Sequence, residues 1–155
     1  MTRFPLLLCM LAGCASGPVS GTWLYGSTEV VSDTCDLIDD IGVPGGDFYV
    51  YNEGKGSVVI DPNDGSDVFR CTLAKDDLTC PDRFQDSRSF GATTVTAVVG
   101  VEATMDGREA ASGSQIATFT CEGPNCAQLE AEVGQPFPCI AEVAFDATWT
   151  SPTVP

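Results

Sequence analysis

The chain has 155 residues, with 7 Lys and Arg against 22 Asp and Glu, a formal net charge of −15 and no histidine. This balance argues against nucleic-acid binding, which needs a cationic stripe to displace counterions from phosphate, and the missing imidazole removes Ser-His-Asp and Cys-His catalysis and histidine metal sites. With 43% hydrophobic residues, 16 Gly and 10 Pro, the composition is that of one globular, turn-rich domain.

The chain opens with Arg3 and a short apolar run over 4–12, too short to span a bilayer, which ends Leu11-Ala12-Gly13-Cys14. These four residues, LAGC, resemble the lipobox of bacterial lipoproteins. The resemblance implies that 1–13 is a signal peptide and that Cys14 becomes the lipidated N-terminus, its thiol carrying a diacylglycerol and its amine a third acyl chain. Several chains together make such anchoring stable, at about 0.8 kcal/mol per buried methylene. Inner-membrane lipoproteins of Gram-negative bacteria typically carry Asp after the cysteine; Ala15 stands there instead, so the expected place is the cell envelope, lipid-anchored, on the outer membrane if the cell is Gram-negative, with the periplasm as its compartment. Ordinary secretion with cleavage near Ala12 or Ala15 is the alternative. Residues 14–20 are small and contain Pro18, as a flexible lipidated tether should be, and 21–155 is the folded domain.

Beyond the tether the pattern is that of strands. Residues 23–31 are aromatic and β-branched; 48–52, 57–61 and 68–73 follow, separated by turns at 52–56 and 62–65, and 78–80 makes a short fifth strand. Over 93–105 a period of two sets Val95, Ala97, Val99, Val101, Ala103 and Met105 on one face. A strand at 115–121 puts Ala117, Phe119 and Cys121 together, and 139–149 alternates Cys139, Ala141, Val143, Phe145, Ala147 and Trp149 with polar partners. Two short helices interrupt this: one over 33–41 ending at Gly42, and one over 126–133, with Asn125 as cap, Gln128 in capping-box position and Gly134 as the stop. Eight short antiparallel strands point to an up-and-down β-barrel, with a β-sandwich as the alternative.

Eight cysteines, less Cys9 in the signal and Cys14 at the anchor, leave an even set of six in an exported chain, the signature of disulfides. Folding 72–79 about Lys75-Asp76 sets Cys71 opposite Cys80; Cys121 and Cys126 enclose the turn Glu122-Gly123-Pro124-Asn125; Cys35 is left for Cys139. A thiolate zinc site is disfavoured, because no CxxC spacing occurs.

Gly21-Thr22-Trp23 at the start of the first strand resembles the G-x-W of lipocalins and the wider calycin barrels. The resemblance implies an eight-stranded barrel whose first and last strands are adjacent, with Trp23 and Trp149 closing the base as core residues or ligand contacts. The family's late arginine is absent, the neighbourhood reading Thr148-Trp149-Thr150, and the many inward Ala and Val leave open whether the barrel is hollow. Ser112-Gly113 is similar to the SGxxY loop of lipid-anchored lysozyme inhibitors, but Ala117 rather than Tyr lies nearby and the match fails.

No constellation reads as catalytic or as a cofactor site. The segment 61–67 has calcium-like acids, but its glycine falls one place early for an EF-hand and no Glu stands at the distant ligand position. Asp39-Asp40 and Asp76-Asp77 are sequence neighbours, the arrangement of surface charge rather than of a glycosidase pair. The candidate contact segment is 81–91, read as a long connection carrying Arg83, Phe84, Arg88 and Phe90. The function expected is a non-catalytic binding module, taking either a small apolar ligand inside the barrel or, through its acidic surface, a basic protein partner; an inhibitor-type or structural envelope lipoprotein is a variant of the latter.

Overall fold

Eight strands in simple chain order close into an antiparallel up-and-down barrel in the computed structural model, which describes residues 17–36, 38 and 42–153. They are β1 (Gly21–Asp33), β2 (Asp47–Gly54), β3 (Ser57–Asp61), β4 (Phe69–Ala74), β5 (Asp77–Phe90), β6 (Thr93–Asp106), β7 (Ala110–Glu122) and β8 (Cys139–Ser151), and a helix, α1 (Cys126–Val133), precedes β8; Ile38, in the β1–β2 connection, is also helical. Closure is made by β1 against β8, with Trp23 opposite Trp149 and Val30 opposite Val143. The barrel arises because every strand has one apolar face: in β8 Cys139, Ala141, Val143, Phe145 and Ala147 are buried, while Asp146 and Thr148 between them face water.

The barrel is lopsided. Strands β2, β3 and β4 have 8, 5 and 6 residues, whereas β1 and β5 to β8 have 13 or 14. All eight are paired near the base, where the start of β1, the end of β8 and the β2–β3, β4–β5 and β6–β7 turns lie. Above Tyr25 and Cys80 the wall continues as β5–β6–β7–β8–β1.

The lower core is Trp23, Phe48, Val58, Phe69, Leu78 and Val101 with their neighbours, all under a tenth exposed. The upper wall carries a second cluster, in which Cys35 and Ile38 pack on Ala97, Phe119, Ala141 and Val143. Three disulfides, Cys35–Cys139, Cys71–Cys80 and Cys121–Cys126, are the pairs that the spacing suggests. The first ties the β1–β2 connection to the start of β8.

Three local expectations need correction, and a fourth lies partly outside the described residues. The strand expected at 78–80 runs on to Phe90, because bulges between Cys80 and Arg83 and between Phe84 and Asp86 break the alternation that marks a strand. Residues 17–20, expected as flexible tether, are bonded to the barrel base: the Val19 amide donates to Arg108 O at 2.9 Å and Asn52 Nδ2 donates to Pro18 O at 2.9 Å. Helix α1 has the expected bounds and the left-handed Gly134 stop, but Asn125 makes no side-chain cap. Instead its amide donates to Thr93 Oγ1, and Gln128 bonds to Glu132. The helix expected at 33–41 lies partly outside the described residues; there Asp33 ends β1, and its carboxylate accepts from the amides of Cys35 and Ile38.

Candidate functional site

Inside the barrel the aromatic side chains pack in tilted and edge-to-face contacts. The Tyr25 ring lies 4.5 Å from that of Phe48 and 5.4 Å, in T-shaped contact, from that of Phe145. What remains between Trp23, Tyr25, Phe48, Met105 and Phe145 is a cavity of about 30 Å³. That is room for roughly two waters, an order of magnitude below the several hundred Å³ typical of ligand pockets. Pro18, from the segment below the base, forms part of its lining and is fully buried.

The β3–β4 connection, residues 62–68, is fastened across the upper side of this core by Arg83. The guanidinium carbon stands 4.1 Å from the Phe69 ring centroid, Nη2 donates to Ser66 Oγ at 2.9 Å, and Nη1 donates to Phe84 O at 3.3 Å. Arg83 Nε is buried without a hydrogen-bond partner. Burial lowers the Arg83 pKa, against the opposing pull of Asp64, Asp67 and Tyr25. For Asp64, burial acts to raise the pKa, but the Ser66 hydroxyl and amide and the Arg83 charge outweigh it and hold the carboxyl below its usual range. Tyr25 is pushed up to about 12, mainly by burial and further by the Asp64 charge, with Arg83 acting in the opposite sense. This cluster fastens a loop; it pairs no nucleophile with a base. Asp61 and Asp64 each accept from a backbone amide within their own turn, and among the described residues no group of three or more Cys, Asp or Glu is placed to hold a metal ion.

The four contact candidates of 81–91 are therefore strand residues on two faces. Register puts Arg83 opposite Val99, Arg88 opposite Val95 and Phe90 opposite Thr93, while Phe84 faces the other way, opposite Val98. Arg88 pairs with Asp86 at 3.4 Å with both side chains well exposed, an arrangement worth little. Phe84 and Phe90 are half exposed. Trp23 and Trp149, by contrast, do come together at the base: Trp23 Nε1 donates to Val19 O at 3.0 Å and Trp149 Nε1 to Ser20 O at 3.3 Å. Cys14 lies outside the described residues.

Strand register also makes a row that no single segment announces. Phe84 stands opposite Val98, Val98 opposite Thr118, and Thr118 opposite Ile140, so four strands present one band on the outer wall. Phe84 and Ile140 are exposed in it, and Val98 and Thr118 partly so. The next row toward the base runs from Gly100 through Ile116 to Glu142. A Cβ on Gly100 would meet the Asp82 carboxylate at 2.5 Å, so that acid lies over the glycine. The band thus has an apolar centre and an acidic margin. No protein family, curated protein or solved structure matches the chain.

Proposed function

We propose that this chain is a non-catalytic binding module of the cell envelope, lipid-anchored through Cys14, whose ligand is a protein with a basic surface rather than a small molecule. The observation that carries this reading is the filled interior: a cavity of about 30 Å³ leaves no volume for a small apolar ligand. With Arg3 removed in the signal peptide, 6 Lys and Arg remain against 22 Asp and Glu and the net charge goes from −15 to −16, which speeds encounter with cationic partners and suits them electrostatically. The apolar band from Phe84 to Ile140, with Asp82 and Glu142 at its margin, has the composition of an interface centre and rim.

The test has two parts. Native mass spectrometry of the folded, oxidised chain is expected to give a bare mass; a discrete adduct that leaves on denaturation supports a carrier instead. Capture on the immobilised protein from envelope extract is expected to retain a basic protein at low salt and lose it at high salt. Phe84→Ala is expected to weaken that capture about tenfold or more, as loss of a central aromatic anchor does. Equal retention by Phe84→Ala and the unaltered chain at every salt concentration argues against this band.

A further inference from the structure

We infer that the barrel stands base-down on the bilayer, with the β2–β3, β4–β5 and β6–β7 turns against the lipid headgroups and the α1 end directed away. The inference rests on the proposed lipidation of Cys14. Its first support is how few residues separate Cys14 from the base. Gly17 is held at the base, where Arg108 Nε donates to Gly17 O at 3.1 Å. A Cβ on Gly17 would lie 3.0 Å from both Asn52 Nδ2 and Leu73 Cδ2, so this residue is packed against the β2 and β4 ends. Pro18 is fully buried, and Val19 and Ser20 accept bonds from the two tryptophans. Between Cys14 and Gly17 there are three residue steps, which span at most about 11 Å. A strand of 13 residues such as β1 is about 43 Å long. A leash a quarter of that length cannot let the barrel turn over.

The second support is where the charges lie. The three cations of the connections sit at the lower turns, Lys55, Lys75 and Arg108, among the acids Glu53, Asp76, Asp77, Asp106 and Glu109 of the same turns and their flanks, so that charge of both signs is mixed there. In the upper connections, 34–46, 62–68, 91–92 and 123–138, every charged residue is an Asp or Glu. An anionic headgroup layer therefore repels the upper end more strongly than the base, a difference that acts over about 8–10 Å at physiological salt. The leash and the charge distribution favour the same orientation.

Both tryptophans sit at the base, so the protein carries its own probe. The acylated full-length product, purified with its signal removed, is reconstituted into vesicles of phosphatidylethanolamine and phosphatidylglycerol containing a headgroup spin-labelled lipid. Tryptophan quenching is expected to be at least twofold greater than for acyl-free residues 15–155 mixed with the same vesicles, and to fall when fifteen Gly/Ser residues are inserted between Ser16 and Gly17. Quenching of the anchored protein at the acyl-free level overturns the orientation while leaving the anchor intact. A purified chain whose mass shows no acyl groups on Cys14 removes the anchor itself, and the orientation with it.

Discussion

Tyr25 shows how one enclosed side chain ties the barrel to pH. Its hydroxyl is neutral when folded, and burial raises the pKa to about 12. In the unfolded chain a tyrosine ionises near 10. Below pH 10 both states hold the proton and the contribution is fully present; between 10 and 12 only the unfolded state releases it, so stability falls as pH rises through that window. The expected loss is about 2 kcal/mol. Urea unfolding across this range should show it, and Tyr25→Phe should flatten the dependence. Arg83 acts by contact rather than titration. Arg83→Met keeps an apolar stem over Phe69 but removes the bond to Ser66 and the charge facing Asp64 and Asp67; stability is expected to drop by about 1–2 kcal/mol. Faster amide exchange at 64–67 in that variant identifies the loop as what was released, whereas unchanged exchange there removes the fastening role. Arg83 was legible in sequence as a cation among aromatics. Its partners were not, because Ser66 lies in the β3–β4 connection and Phe69 at the start of β4, and only the fold brings them to it.

Strands with an unbroken period of two could be read closely from sequence, as β6 and β8 show. Strand β5 could not, since each bulge inserts a residue and reverses which side chains face inward. The outer band from Phe84 to Ile140 was hidden for a related reason: it exists only once four registers are fixed. The close approach of β6 and β7 at Gly113 is equally a property of pairing. A Cβ there would lie 2.2 Å from Glu102 O and 2.6 Å from Ala103 Cα, both backbone atoms that cannot swing aside. Gly113→Ala is expected to cost about 1–3 kcal/mol in thermal or urea unfolding, with slowed exchange lost along β6–β7 before it is lost along β2–β3. The disulfides separate by loop length. The sequence separation is 104 for Cys35–Cys139, but 9 for Cys71–Cys80 and 5 for Cys121–Cys126. On chain-entropy grounds paired Cys→Ala changes are expected to cost about 4–5 kcal/mol for the first and roughly 2–3 for the others, an order that denaturant midpoints can check.

For the molecule as a whole, the closed barrel was legible because eight half-apolar strands with short turns have few other ways to bury every face. The filled interior was not, since the size of an eight-stranded lumen depends on which residues meet across it. Here Trp23, Phe48 and Phe145 meet near the axis, and Pro18 enters from below. The pinned segment 17–20 escaped notice because a short run of Gly, Pro, Val and Ser looks alike whether tethered or docked, and only the Arg108 and Asn52 bonds distinguish the two. Closing the ring through β1 and β8 has a consequence in time. Synthesis delivers β1 first of the eight strands and β8 last, so β1 must wait, one edge open, while the strands between them are made. Cys35 waits equally long for Cys139. An incomplete barrel is therefore most vulnerable to aggregation and to wrong thiol pairing just before β8 joins it, and truncation within β8 should be far more damaging than its share of the residues suggests.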